Sequence, residues 1–216
     1  MLVKGKNLNK GRRKVNQFFW SGLLFIFIGI IILSINLYKT YQHNCGEQKS
    51  VTYYLEEKNF DSSNLVVDVT EAKVVEDDII DYVAVIEIPK INLKRGMVAI
   101  DDKDNTVEKN IQIIKESDMP DINNGIFILA SHSGWGRTAY FTNLDKLKID
   151  DSVFIYYKGK KYVYQIIETY VVNKTGEVSI HRDPTHTQLV LTTCSNTNDK
   201  EQLVVMTNLI SKDDYS

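Results

Sequence analysis

Apolar positions fall into two regimes along this chain. From Phe18 to Tyr38 they are nearly continuous and no charged residue interrupts them. About 20 apolar residues cross a bilayer, so this stretch is long enough for one transmembrane helix. From Tyr82 onward the runs become short, rich in Val, Ile, Thr, Tyr and Phe, and bounded by polar or glycine-containing breaks such as Lys158-Gly159-Lys160. That pattern predicts strands over residues 82–88, 126–131, 153–157, 162–172, 188–193 and 202–209. Residues 106–116 are predicted as the helix between them. The most helical part of the region before the strands is Val51-Thr52-Tyr53-Tyr54-Leu55-Glu56-Glu57-Lys58. Many strands with short helical interruptions predict a mainly β fold, a closed or nearly closed barrel.

Charge divides the chain in the same place. Six of the 26 basic residues and none of the 28 acidic ones precede Phe18, so the remainder carries a net charge of about −8. Basic residues flank the apolar run on its N-terminal side, which keeps that side cytoplasmic and sends the rest out. Trp20 and Tyr38 sit near the two ends, where aromatic residues favour the interface. A cleaved signal peptide has a shorter apolar core ending in small residues, and Leu37-Tyr38-Lys39-Thr40-Tyr41 offers none, so a retained anchor is expected. The expected organisation is a basic cytoplasmic tail over 1–17, an anchor in the plasma membrane over 18–38, an extracellular stalk and lead-in helix over 39–78, and a barrel over 79–216. The acids Glu76-Asp77-Asp78 read as a solvated face.

The acidic outer part makes nucleic acid an unsuitable partner, because phosphate binding needs a basic face. Four histidines and two cysteines, widely scattered, do not make a structural zinc site. Asp101-Asp102-Lys103-Asp104-Asn105 lacks the glycine and the distal glutamate of a calcium loop and reads as a solvated turn. Neither a metal nor a cofactor is expected.

Candidate chemistry comes from two strand ends. Gln188-Leu189-Val190-Leu191-Thr192-Thr193-Cys194 is a buried-strand pattern that stops at a cysteine, and Ser195-Asn196-Thr197-Asn198-Asp199-Lys200 after it is a loop. Gly125-Ile126-Phe127-Ile128-Leu129-Ala130-Ser131-His132-Ser133-Gly134 is a second such strand, stopping at a histidine and a glycine turn. A lone cysteine is most often a small buried hydrophobe. Paired with an imidazole that takes its proton or stabilises its thiolate, it becomes a nucleophile. His181 and His186 compete with His132 for that role but follow no apolar strand. Cys45, just past the apolar run, is expected to be free, lipidated or linked between chains, since pairing with Cys194 would consume the nucleophile.

These residues resemble the sortases, membrane-anchored cysteine transpeptidases of Gram-positive surfaces. The family signature Thr-Leu-x-Thr-Cys stands here as Val190-Leu191-Thr192-Thr193-Cys194, and Ala130-Ser131-His132-Ser133-Gly134 is similar to its histidine strand. Ile86-Glu87-Ile88-Pro89-Lys90-Ile91, Phe141-Thr142-Asn143-Leu144-Asp145-Lys146-Leu147 and Gln202-Leu203-Val204-Val205 extend the likeness in matching order over residues 80–210. The resemblance implies the same mainly β architecture, a closed or nearly closed sortase-type barrel of about eight strands with a few short helices, preceded by one transmembrane helix. It also implies a thioacyl intermediate on Cys194, formed from the sorting signal of a surface protein and resolved by an amine of a peptidoglycan precursor or pilin. Ser131-His132-Ser133-Gly134 and the brief loop after Cys194 lean away from the lid-bearing pilus type.

The third family residue, an arginine opening the next strand, is replaced by Gln202. Losing one donor to a developing oxyanion costs on the order of 10²–10³ in rate, and a neutral amide donates less strongly than a charged group. Arg182, Arg137 and Lys200 are the candidate substitutes, though each by itself reads as a solvated cation. The expected function is therefore a sortase-type transpeptidase. The alternatives are a degenerate sortase-like barrel that binds sorting signals or pilus subunits without processing them, and an extracellular thiol hydrolase using water.

Overall fold

The computed structural model describes residues 9–60 and 80–214. The start of the basic tail and the acidic run Glu76-Asp77-Asp78 lie outside the described residues. A single helix, α1 (Asn9–Phe60), comes first. Its apolar stretch is long and apolar enough to cross a membrane, and the side chains from Phe19 to Leu37 are largely exposed, as a lipid-facing helix requires. That stretch belongs to one compact unit, which ends at Cys45, and a second begins at Gly46.

The second unit is a nearly closed eight-stranded barrel. Its strands are β1 (Ala84–Ile88), β2 (Leu93–Met97), β3 (Gln112–Ile113), β4 (Ile126–Ala130), β5 (Ser152–Tyr157), β6 (Lys160–Asn173), β7 (Gln188–Cys194) and β8 (Glu201–Asp214). Their order across the sheet is β2-β1-β5-β6-β8-β7-β4-β3. Every neighbouring pair is antiparallel except β4 and β7, which run parallel. Two short 3-10 turns, Pro89–Ile91 and Leu144–Lys146, interrupt the strands.

Alternation along the strands sorts side chains into an interior and two outer layers. Ile86, Ile88, Phe127, Leu129, Ile155, Tyr164, Leu189, Leu191 and Val205 fill the interior. Val85 and Tyr156 point out on one side and meet Val51, Tyr54 and Leu55 of α1, together with Tyr82 and Val98. Gly96 is obligatory in this layer, because a Cβ there would lie 2.1 Å from the Tyr82 ring. The Tyr140 hydroxyl donates to Glu47 Oε1 at 2.5 Å, and Arg95 Nε lies 3.2 Å from Glu47 Oε2, so a buried acid of α1 is joined to the barrel. On the other side Ile126, Val190, Val204 and Met206 form an outer cluster with Tyr170, Val172, Val178 and Ile180 against it. A face that would otherwise be wet is thus apolar and covered by the segment between β6 and β7.

The predicted strands are all present, and Lys158 and Gly159 form their hairpin turn with positive φ of 49° and 69°. The expected helix over residues 106–116 is absent; turns and β3 stand in its place. Asn105 is the physical reason. Its amide donates to the carbonyls of Ile100 and Ile113 and its oxygen accepts the Ile113 N–H, an alternative to helical bonding that asparagine is suited to make. Ile111 and Ile113 then enter the core with strand alternation rather than helical spacing. β2 was not anticipated, since Lys94 and Arg95 break its apolar pattern.

Candidate active site

The parallel pairing of β4 and β7 keeps a constant offset, with Ile126 beside Gln188, Leu129 beside Leu191 and Ala130 beside Thr192. Thr193 Oγ1 donates to the Ser131 carbonyl at 2.8 Å, 62 residues away, and the Ser131 N–H donates to the Thr192 carbonyl at 3.3 Å, so the offset persists past the strand end. The next pair at that offset is His132 and Cys194. Both are half-buried. On the far side of β7, the antiparallel ladder sets Cys194 directly beside Gln202. Thus residues from three chain segments lie level at one end of three adjacent strands.

Each position has local support. The turn after His132 is closed by the Phe141 N–H to the His132 carbonyl at 3.1 Å, Thr142 Oγ1 to the Gly134 carbonyl at 3.1 Å, and Ser131 Oγ to the Thr138 carbonyl at 3.2 Å. Gly134 has φ of 94°, a conformation that glycine adopts without strain. Ser133 Oγ donates to the Cys194 carbonyl at 2.7 Å, and the Asn196 amide donates to the Thr142 carbonyl at 2.7 Å, so the two loops hold one another. The β7–β8 turn is tight, with the Ser195 N–H on the Glu201 carbonyl at 2.9 Å.

Alternation places Cys194 and Gln202 on the same face as Val190 and Val204, against which Val178 and Ile180 of the β6–β7 segment pack. Thr192 Oγ1 and Gln202 Oε1 on this face are buried with no hydrogen-bond partner among the described residues. An unmet polar atom costs about 1–3 kcal/mol, which a bound peptide backbone would offset. The β6–β7 segment is anchored by His181, whose ring stacks on Tyr170 at 4.1 Å, whose N–H donates to the Tyr170 hydroxyl at 3.1 Å, and whose Nδ1 lies 3.1 Å from Glu168. His186 Nδ1 is 2.7 Å from Asp183. Both histidines are therefore engaged with carboxylates, that of Glu168 in β6 and that of Asp183 in the β6–β7 segment.

Of the candidate substitutes for the missing arginine, Arg182 is held away from the sulfur. Arg182 Nη2 donates to the Asn124 carbonyl at 3.1 Å, at the opposite end of β7, about 20 Å along a strand of six residue steps. Arg137 is exposed on the His132 turn, and Lys200 is exposed on the β7–β8 turn. The cation that does reach Cys194 is Lys174, one residue past β6, with Nζ 3.3 Å from Sγ. Its backbone is fixed there by the Lys174 N–H donating to the Lys200 carbonyl at 2.7 Å. Nothing in the sequence singled out Lys174, because its arrival depends on the β6–β8 register, in which Val172 pairs Gln202 and Asn173 pairs Glu201. Both cysteines, Cys45 and Cys194, are free thiols.

A family model described as the sortase domain matches residues 86–210, more than half of the chain. This chain belongs to the sortase family. A sortase D of Bacillus subtilis (strain 168) is 31% identical over 110 residues, which cover 51% of this chain and 52% of that protein; the match spans about half the length of the curated relative. Among solved structures, the sortase D5 transpeptidase of Clostridium perfringens superposes with a TM-score of 0.55 at 23% identity, covering 77% of this chain and 99% of that one. A lid mutant of sortase A from Corynebacterium diphtheriae does so with a TM-score of 0.55 at 20% identity, covering 76% and 93%. These structures share the sortase barrel, and in the present sortase the ends of its strands β4, β7 and β8 carry His132, Cys194 and Gln202.

Proposed function

We propose that this sortase is a cysteine transpeptidase in the plasma membrane, single-pass through residues 18–38, with its N-terminus cytoplasmic and its barrel outside. Its substrates are surface proteins bearing a sorting signal, and its acceptors are amines of peptidoglycan precursor or pilin. The observation that carries this reading is the constant β4–β7 offset, which brings His132 level with Cys194.

In acylation the Cys194 thiol proton passes to the His132 imidazole while sulfur bonds to the carbonyl carbon of the scissile peptide, and the C=O electron pair moves onto oxygen. Collapse restores the carbonyl and breaks the C–N bond; the leaving nitrogen takes the proton from His132, and a thioester remains. An acceptor amine then attacks the thioester, gives a proton to His132 and displaces the Cys194 sulfur, which recovers it. A second reading, a barrel that binds sorting signals without cutting them, is favoured by the uncharged Gln202 beside Cys194.

The deciding experiment incubates the full-length protein in detergent micelles with a library of sorting-signal peptides and weighs the protein for an adduct on Cys194. Enzyme action gives an adduct in the parent, none in Cys194→Ala, and at least about 10²-fold slower formation in His132→Ala. His181→Ala and His186→Ala retain the parent rate. Peptide binding without an adduct in the parent sinks the transpeptidase reading in favour of the binding module.

A further inference from the structure

We propose that Lys174 is the cationic catalytic residue of this sortase, supplying from the end of β6 the charge that the family arginine position, Gln202, lacks. The inference rests on the transpeptidase reading for its catalytic meaning, but its geometry stands by itself.

Three observations carry it. First, the ammonium of Lys174 lies 3.3 Å from Cys194 Sγ. Second, this approach is built by the backbone rather than by a wandering side chain: the Lys174 N–H is held on the Lys200 carbonyl at 2.7 Å, and the β6–β8 ladder is continuous up to Asn173. Alternation from Tyr170 and Val172 puts Lys174 on the face that Cys194 and Gln202 share. Third, Arg182 is remote, tied to the Asn124 carbonyl at the far end of β7, whereas Lys174 Nζ lies within hydrogen-bond distance of Sγ.

The chemistry needs a donor rather than a proton. As sulfur attacks, negative charge moves from sulfur to the carbonyl oxygen, and an ammonium with three donors can follow it by rotation without giving up a proton. Lys174 is exposed in the free protein; a peptide laid over the β6–β7 segment would exclude water and strengthen the contact. Lysine acts here as a point charge without the bidentate fork of arginine, which predicts catalysis that arginine at either position improves.

The test uses the full-length protein in detergent micelles and two readouts, the rate at which iodoacetamide alkylates Cys194 at neutral pH and the rate of thioacyl adduct formation. Alkylation needs no sorting signal, so it reports on the contact even if the transpeptidase reading fails. Lys174→Met is expected to slow alkylation roughly tenfold to a hundredfold, the weight of a hydrogen bond to a charged group, and adduct formation by about 10²–10³. Lys174→Arg is expected to keep alkylation near the parent rate and to raise adduct formation above it, and Gln202→Arg placed in the Lys174→Met background is expected to rescue the adduct. Lys200→Met, which removes an equal charge close by, is expected to leave both rates at the parent value. The proposal is overturned if Lys174→Met alkylates at the parent rate while folding normally, or if Lys200→Met slows it as much, because a diffuse positive field would then explain the effect.

Discussion

Ser133 Oγ donates to the carbonyl of Cys194 at 2.7 Å, so the turn that follows the histidine strand holds the backbone of the nucleophile. The bond crosses between two segments 61 residues apart, and it engages a main-chain oxygen rather than the thiol. Ser133→Ala is therefore expected to cost about 1 kcal/mol in unfolding free energy. It should also slow adduct formation several-fold, while iodoacetamide alkylation stays near the parent rate. Thermal unfolding and mass spectrometry read the two effects separately. A variant with unaltered stability and unaltered acylation would show that this bond positions nothing.

Arg182 and Arg137 were both natural candidates to replace the missing arginine. Arg182 is bonded to the Asn124 carbonyl, two residues before β4, and Arg137 is exposed on the His132 turn. Arg182→Ala is expected to leave adduct formation within about twofold of the parent and to lower stability by less than about 1 kcal/mol, as for an exposed hydrogen bond. Arg137→Ala should likewise keep the parent rate with short peptides. A tenfold loss in either variant would place that arginine over the site in the bound state and contradict the arrangement described above.

Tyr164 lies fully buried in the barrel, and its hydroxyl has no partner among the described residues. Burial raises its pKa well above the ordinary value of 10, with the neighbouring Tyr162 adding to the effect. A raised folded pKa means that the folded state holds its proton more tightly than the unfolded chain. This stability is fully present below pH 10 and is lost as pH rises beyond it. Tyr164→Phe removes an unmet polar group at nearly constant shape, so it is expected to be neutral or stabilising at pH 7. It should also flatten the decline in stability above pH 10. Chemical denaturation at pH 7 and pH 11 measures both; a loss of more than about 1 kcal/mol at pH 7 would mean that the hydroxyl is satisfied after all.

Much of the barrel was legible because its determinants are local. Runs such as Gly125 to Ala130 and Gln188 to Thr193 carry the β-branched and apolar density of strands buried on both faces, and both appear as strands within a residue or two of the expected ends. Where a side chain competed with the backbone, the pattern misled. Asn105 bonded three main-chain groups and turned an apparent helix over residues 106–116 into turns and a short strand. Lys94 and Arg95 hid β2 because a strand on the edge of the sheet tolerates charge that a central strand does not.

Sequence by itself determined that a thiol and an imidazole each end an apolar strand, that an apolar helix precedes them, and that no arginine follows Arg182. These are properties of neighbouring residues, and neighbouring residues decide strand ends and hydropathy. What Cys194 meets was decided by tertiary structure alone. The parallel offset of β4 and β7 puts His132 level with it, and the β6–β8 ladder, shifted by irregularities between Val163 and Tyr164 and between Ile166 and Glu168, delivers Lys174 to its sulfur. A one-residue slip in that ladder would turn the lysine to the other face of the sheet, so no reading of residues 174 and 194 in isolation reaches the contact.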